Sequence, residues 1–106
     1  MTHPPIAQGQ IWSAVSPVSG QQSTIVVLDA MPAMLERSRI LAARVRPMRE
    51  VPDGMRLLVV PIDDGLAIAV YDLAAFDRGW FKERVGLLGE PQLEQLKVAL
   101  SARFDL

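Results

Sequence analysis

Between residues 56 and 72 the chain reads RLLVVPIDDGLAIAVYD, two apolar runs joined by Asp63-Asp64-Gly65. An Asp-Gly step between hydrophobic runs predicts a tight hairpin, because glycine accepts the positive φ that a two-residue turn demands. Residues 57–60 (LLVV) are continuously apolar, while Leu66, Ile68 and Val70 alternate with alanines. That pattern places at least one of the two strands centrally in a sheet. The rest of the chain is expected to pack around this pair.

A chain of 106 residues fits one domain, 1–106, with the Pro-rich residues 1–8 as a loose arm. With 50% hydrophobic and 22% charged residues it has a globular composition. The absence of cysteine excludes disulfides, thiolate nucleophiles and thiolate metal sites, and fits a reducing, cytoplasmic location. Six aromatic residues are too few for a platform that binds single-stranded nucleic acid by stacking alone. The N-terminus lacks a basic region followed by an apolar run, and no window reaches the roughly 18 apolar residues of a membrane span, so neither export nor a membrane partner is expected.

Charge is segregated along the chain. Residues 1–28 carry no Lys, Arg, Asp or Glu. Residues 37–56 then hold six arginines (Arg37, Arg39, Arg44, Arg46, Arg49, Arg56) against Glu50 and Asp53, and residues 57–77 hold four acids (Asp63, Asp64, Asp72, Asp77) and no base. Such asymmetry marks either a phosphate-binding face or a set of cross-strand ion pairs, and the second reading is the simpler.

Residues 9–15 (GQIWSAV) read as a strand with Trp12 and Ala14 on one face, ended at Ser16-Pro17. Residues 17–24 are nearly all turn-formers and predict a loop; 25–28 (IVVL) predict a short buried strand. Met31, Met34 and Leu35 in 30–38 have helical spacing, with the methionines as plastic core or subunit contact. Residues 39–46 fit a helix by propensity and a strand by alternation, and Pro47 at their end favours the strand. Trp80 and Phe81 are expected to anchor one end of the sheet, and 85–88 to add an edge strand. The clearest helix is the last segment, with Leu93, Leu96, Val98, Leu100 and Phe104 as its apolar stripe and Glu94 paired with Lys97.

Three stretches together resemble the MazF/PemK/CcdB toxin family. GQIWSAVSPVSGQQSTIVVLD is similar to the family's opening through Gly9, Ile11, Trp12, Gly20, Gln21 or Gln22 and the run 25–28. AVYDLAAFDRGWFKERVGLLGEPQLEQLKVAL resembles its close through Val70, Asp72, Asp77, Arg78, Arg84, Gly86, Leu88, Leu93, Leu96, Ala99 and Leu100, and RVRPM matches a strand ending at Pro47 and Met48. The resemblance implies a mainly β fold with a C-terminal helix, a small SH3-like barrel, and a homodimer that acts as a growth inhibitor of a toxin-antitoxin system.

For active members the resemblance implies metal-independent cleavage of single-stranded RNA by an arginine before the second strand and a threonine or serine after the third. Here Ser23-Thr24 and Arg49-Glu50 stand at those places, and Leu73 replaces a glutamine. A serine does not replace a permanently charged guanidinium in stabilising a pentavalent phosphate. The endoribonuclease reading therefore uses a rearranged site: Arg49 and Ser23 as catalytic residues, with Arg44, Arg46 and Gln22 binding RNA. The alternative is a noncatalytic, CcdB-like or antitoxin-binding module, whose groove receives an antitoxin-like peptide on an apolar surface formed by Met31, Met34, Trp80 and Phe81. No cofactor or metal is expected. His3 is the single histidine and lies in the Pro-rich arm, Asp63-Asp64 reads as a turn, and Asp72 and Asp77 read as structural caps.

Overall fold

The computed structural model describes residues 6–29 and 39–104. Met31, Met34 and Leu35, and His3 of the arm, lie outside the described residues. Within them the chain forms β1 (Gln10–Val15), β2 (Gln22–Val27), β3 (Arg39–Pro47), β4 (Val59–Pro61), β5 (Leu66–Asp77), β6 (Phe81–Leu87) and α1 (Glu90–Phe104), with short 3-10 turns at Met48–Glu50, Asp53–Leu58 and Arg78–Trp80. The strands make one antiparallel sheet in the order β4-β5-β3-β2-β1-β6. The expected mainly β architecture with a closing helix is what the chain adopts.

The hairpin between β4 and β5 turns at Asp64 (φ 62°) and Gly65 (φ 69°). Positive φ at both central residues is the mirror-image turn that matches the twist of flanking strands. Alanine in place of Gly65 is expected to destabilise the chain by about 1–2 kcal/mol, the left-handed cost of an L-side chain, seen as a lower urea midpoint at unchanged slope. β5 is the strand with partners on both sides; β4 is a short edge. The apolar run at 57–60 therefore does not form a whole strand. A 3-10 turn takes up Asp53–Leu58, and Leu57 stands 88% exposed. Pairing with Val15 and Ala14 likewise carries Gln22 and Ser23 into β2, so the predicted loop is shorter and the strand starts three residues early.

Each face of the sheet is covered. On one side Val26, Ile68 and Val70 pack with Leu96 and Ala99 of α1. On the other, Trp12, Ala14, Ile25, Val27, Ile40, Ala42 and Phe76 gather with Trp80 and Phe81 against them. The rings meet edge to face, Trp12 with Phe81 at 5.6 Å and Phe76 with Trp80 at 6.3 Å. Trp80 and Phe81 thus anchor the sheet as expected, as part of a core rather than as a free apolar surface. In α1, Leu93, Leu96, Ala99 and Leu100 face the sheet, while Val98 is 69% exposed. Two residues beyond Leu96, Val98 lies some 200° round the helix and cannot share its stripe.

β5 is not a regular ladder. Ala69 pairs with Arg44 and Leu73 with the adjacent Ala43, so residues 70–72 have no partners on β3. This bulge changes the phase of the side chains: Ile68, Val70 and Leu73 all pack on the helix side, and Phe76 turns to the opposite one. It also lifts Asp72 out of the ladder and over the middle of β3.

Candidate functional site

The helix-free face of β3 carries Ile40, Ala42, Arg44 and Arg46 in alternation. Cross-strand pairs point the same way, so Ala69 and Ala67 join them there, opposite Arg44 and Arg46. Two apolar clusters flank this row: the Trp12 cluster, and a smaller one of Val51, Val59 and Ala67. Between the clusters lie the two arginines.

Asp72 reaches both. Arg46 donates to Asp72 Oδ2 through Nε at 2.8 Å and through Nη2, and Arg44 Nη1 donates to Asp72 Oδ1 at 3.3 Å. Arg44 also lies over the Phe76 ring, its Cζ 5.1 Å from the centroid. Donating hydrogen bonds to Asp72 pushes the already high pKa of Arg46 further up, against an opposing effect of burial and with Coulombic support from Asp72, Tyr71 and Glu50. Arg46 is a fixed cation. Two guanidinium groups and one carboxylate leave the cluster with an excess positive charge. Ion pairs this exposed add about 1 kcal/mol or less, so the main effect of the contacts is to hold the guanidinium planes in place.

A hollow opens on each side of the cluster. One is lined by Ala14, Ser16, Gln21, Ser23, Arg44, Phe76 and Trp80. The other, about 340 Å³, is lined by Arg46, Glu50, Pro52, Tyr71 and Asp72. The first joins hydroxyls and an amide to aromatic edges and a cation; the second sets two carboxylates, those of Glu50 and Asp72, and a phenol beside a cation. Bidentate guanidinium groups with hydroxyls nearby suit an oxyanion such as a phosphodiester. Among the described residues no cluster of His, Asp or Glu has the makings of a metal site.

Of the residues singled out from sequence, the structure brings Ser23, Arg44 and Arg46 to one face. The hollow that holds Ser23 contains Arg44, not Arg49. Arg49 is exposed in the turn Met48–Glu50 and has no hydrogen-bond or ion-pair partner among the described residues. Gln22 points to the other side of the sheet, where its Nε2 donates to Ser13 Oγ at 2.9 Å. Asp72 is the residue that sequence reasoning placed wrongly: it is no strand cap but the centre of the cluster. The loss of alternation at Tyr71-Asp72-Leu73 was the available signal. Of the two readings of the charge segregation, cross-strand ion pairing is present, and it occupies the arginines that the other reading needs.

No protein-family model matches the sequence, and no curated protein does. Solved structures match over nearly the whole chain. An endoribonuclease in complex with its cognate antitoxin from a Mycobacterial species superposes with a TM-score of 0.76 at 10% identity, covering 95% of this chain and 96% of that one. The Mycobacterium tuberculosis toxin MazF-mt6 gives 0.75 at 16% identity, covering 92% and 97%. A MazE-MazF structure from Deinococcus radiodurans gives 0.77 at 10% identity, covering 98% and 99%. At these identities the likeness is one of fold, and the fold is that of the MazF toxins.

Proposed function

From a chain with the MazF toxin fold, we propose that this protein is the toxin of a toxin-antitoxin pair, a cytoplasmic homodimer whose helix-free face binds single-stranded RNA and an antitoxin-like peptide and cleaves the RNA without a metal. The observation that carries the reading is the near-complete mutual coverage with an endoribonuclease solved in complex with its cognate antitoxin and with a MazE-MazF structure. The placement of Arg44, Arg46 and Ser23 on one face supports it. Among the described residues no helix is long and apolar enough to cross a membrane.

In the proposed reaction a ribose 2′-oxygen forms a bond to the adjacent phosphorus while the bond to the 5′-oxygen breaks. The 2′-proton passes to a base, and the leaving oxygen takes one up. Charge builds on the phosphate oxygens, where guanidinium groups act best. Arg49, whose fork is uncommitted among the described residues, supplies that charge, Arg44 and Arg46 hold flanking phosphates, and Ser23 hydrogen-bonds the sugar or phosphate.

Arg49→Ala is expected to slow cleavage of an unstructured RNA about 100-fold relative to the purified wild-type chain, the scale of losing one oxyanion donor. Equal background cleavage by both proteins removes catalysis from the reading. One observation favours a second, noncatalytic form of it: Asp72 already engages the two arginines. Growth arrest on induced expression, with co-purification of a short acidic partner and intact RNA, would select that form.

A further inference from the structure

The Arg44–Asp72–Arg46 contacts have the geometry of an oxyanion site whose anion belongs to the chain itself. A carboxylate offers guanidinium groups the same two-oxygen edge that a phosphodiester does. We propose that Asp72 is an internal surrogate for a phosphate: in the ligand-free chain its carboxylate fills the Arg44–Arg46 pair, and a phosphodiester binds there by displacing it. The identification of that phosphodiester as RNA rests on the function proposed above; the anion site itself does not.

Three observations carry this. Asp72 lies in the bulge at 70–72, outside the β3–β5 register, and meets Arg44 and Arg46 through its side chain alone, so a rotation of that side chain releases both arginines and leaves the backbone where it is. Arg44 keeps other supports when it leaves, because it projects from a part of β3 paired with both β2 and β5 and rests on Phe76, while the backbone of Arg46 is held by its pairing with Ala67 of β5. Access is open: the side chains of Arg44, Arg46 and Asp72 are 36%, 41% and 25% exposed. A hollow continues from the cluster in each direction, one past Ser23 and one past Glu50 and Tyr71, which gives neighbouring nucleotides somewhere to lie.

The test compares the full chain with its Asp72→Asn variant, using a labelled six-nucleotide oligouridine and inorganic phosphate as probes. Asparagine keeps the shape and removes the charge. The variant is expected to bind the oligonucleotide about tenfold more tightly by fluorescence anisotropy. Its log–log salt slope should be steeper by about 0.7, one more phosphate neutralised on a single strand. Phosphate should perturb the Arg46 Nε–H resonance at about tenfold lower concentration in the variant. Equal or weaker binding of both probes by a folded D72N chain overturns the proposal. Should the variant not fold, the wild type decides: displacement of Asp72 moves its Arg46 Nε–H resonance on saturation with the oligonucleotide, and an unmoved resonance overturns the proposal. Tighter phosphate binding with no oligonucleotide binding by either chain upholds the anion site and removes RNA as its ligand. RNA cleavage with no gain in D72N does the reverse.

Discussion

Replacing Trp12 by alanine is expected to destabilise the chain by about 3–5 kcal/mol, the range for truncating a buried aromatic. A domain of this size has about 5–15 kcal/mol in total, so the variant should stand close to its unfolding midpoint at 37 °C. Trp12 is 5% exposed, stacks its edge on Phe81, and donates its indole Nε1–H to Gln10 Oε1 at 2.9 Å within the core. The same Gln10 oxygen accepts from the Ala7 amide, so the indole ties the segment entering β1 to the sheet. Trp12→Phe should lose only about 1–1.5 kcal/mol, since most of the packing survives and one neutral hydrogen bond is removed. Urea denaturation of the three proteins at one slope checks the ranking. Phe76 and Trp80 share this cluster and line the hollow of Ser23, so W12A should also weaken any ligand that hollow binds; ligand affinity in W12A equal to wild type would show that the cluster does not shape it.

Leu96→Ala is expected to lose about 2–5 kcal/mol on the opposite face, with Val98→Ala as its control. Leu96 is wholly buried among Val60, Ile68, Val70 and Ala99, and joins α1 to the sheet. Fifteen residues make a marginal helix in water, so α1 depends on that contact more than on its own propensity. Val98, two positions on, is 69% exposed, and its replacement should change stability by less than about 0.5 kcal/mol. Circular dichroism through a thermal melt would separate the two. A loss in V98A comparable to that in L96A would mean that the exposed side of α1 is covered in solution, as in a dimer.

The parts of this fold legible in the sequence are those fixed by neighbours along the chain. The turn at Asp64-Gly65 follows from the φ values that two residues must adopt. The facing of Trp12 and Ala14 follows from pleat alternation, and the strand at Arg39–Pro47 from alternation ended by proline. What escaped depends on partners far away. Gln22 and Ser23 have loop composition, and only β1 beside them makes them a strand. Leu57 is apolar, yet the 3-10 turn leaves it in water. The site was legible as residue types and not as geometry. Arg44 and Arg46 sit together because β3 alternates, a local fact, whereas Asp72 reaches them through an irregularity in β5 that no propensity encodes. Val98 was a simpler error, a hydrophobic residue assigned to a stripe whose angle it does not fit.

The irregularity at 70–72 also governs which changes of length β5 tolerates. Inserting or deleting one residue between Leu66 and Ala69 would exchange the two faces along that half, and drive Ile68 from the helix side into the closely packed space that Ala67 and Ala69 fill beside the arginines. Adding a pair of residues next to Asp72 would leave both halves in their present frames. The strand behaves as two frames spliced at an acid, and lengthening the splice in steps of two would alter how far that acid reaches while both hydrophobic sides stay sealed.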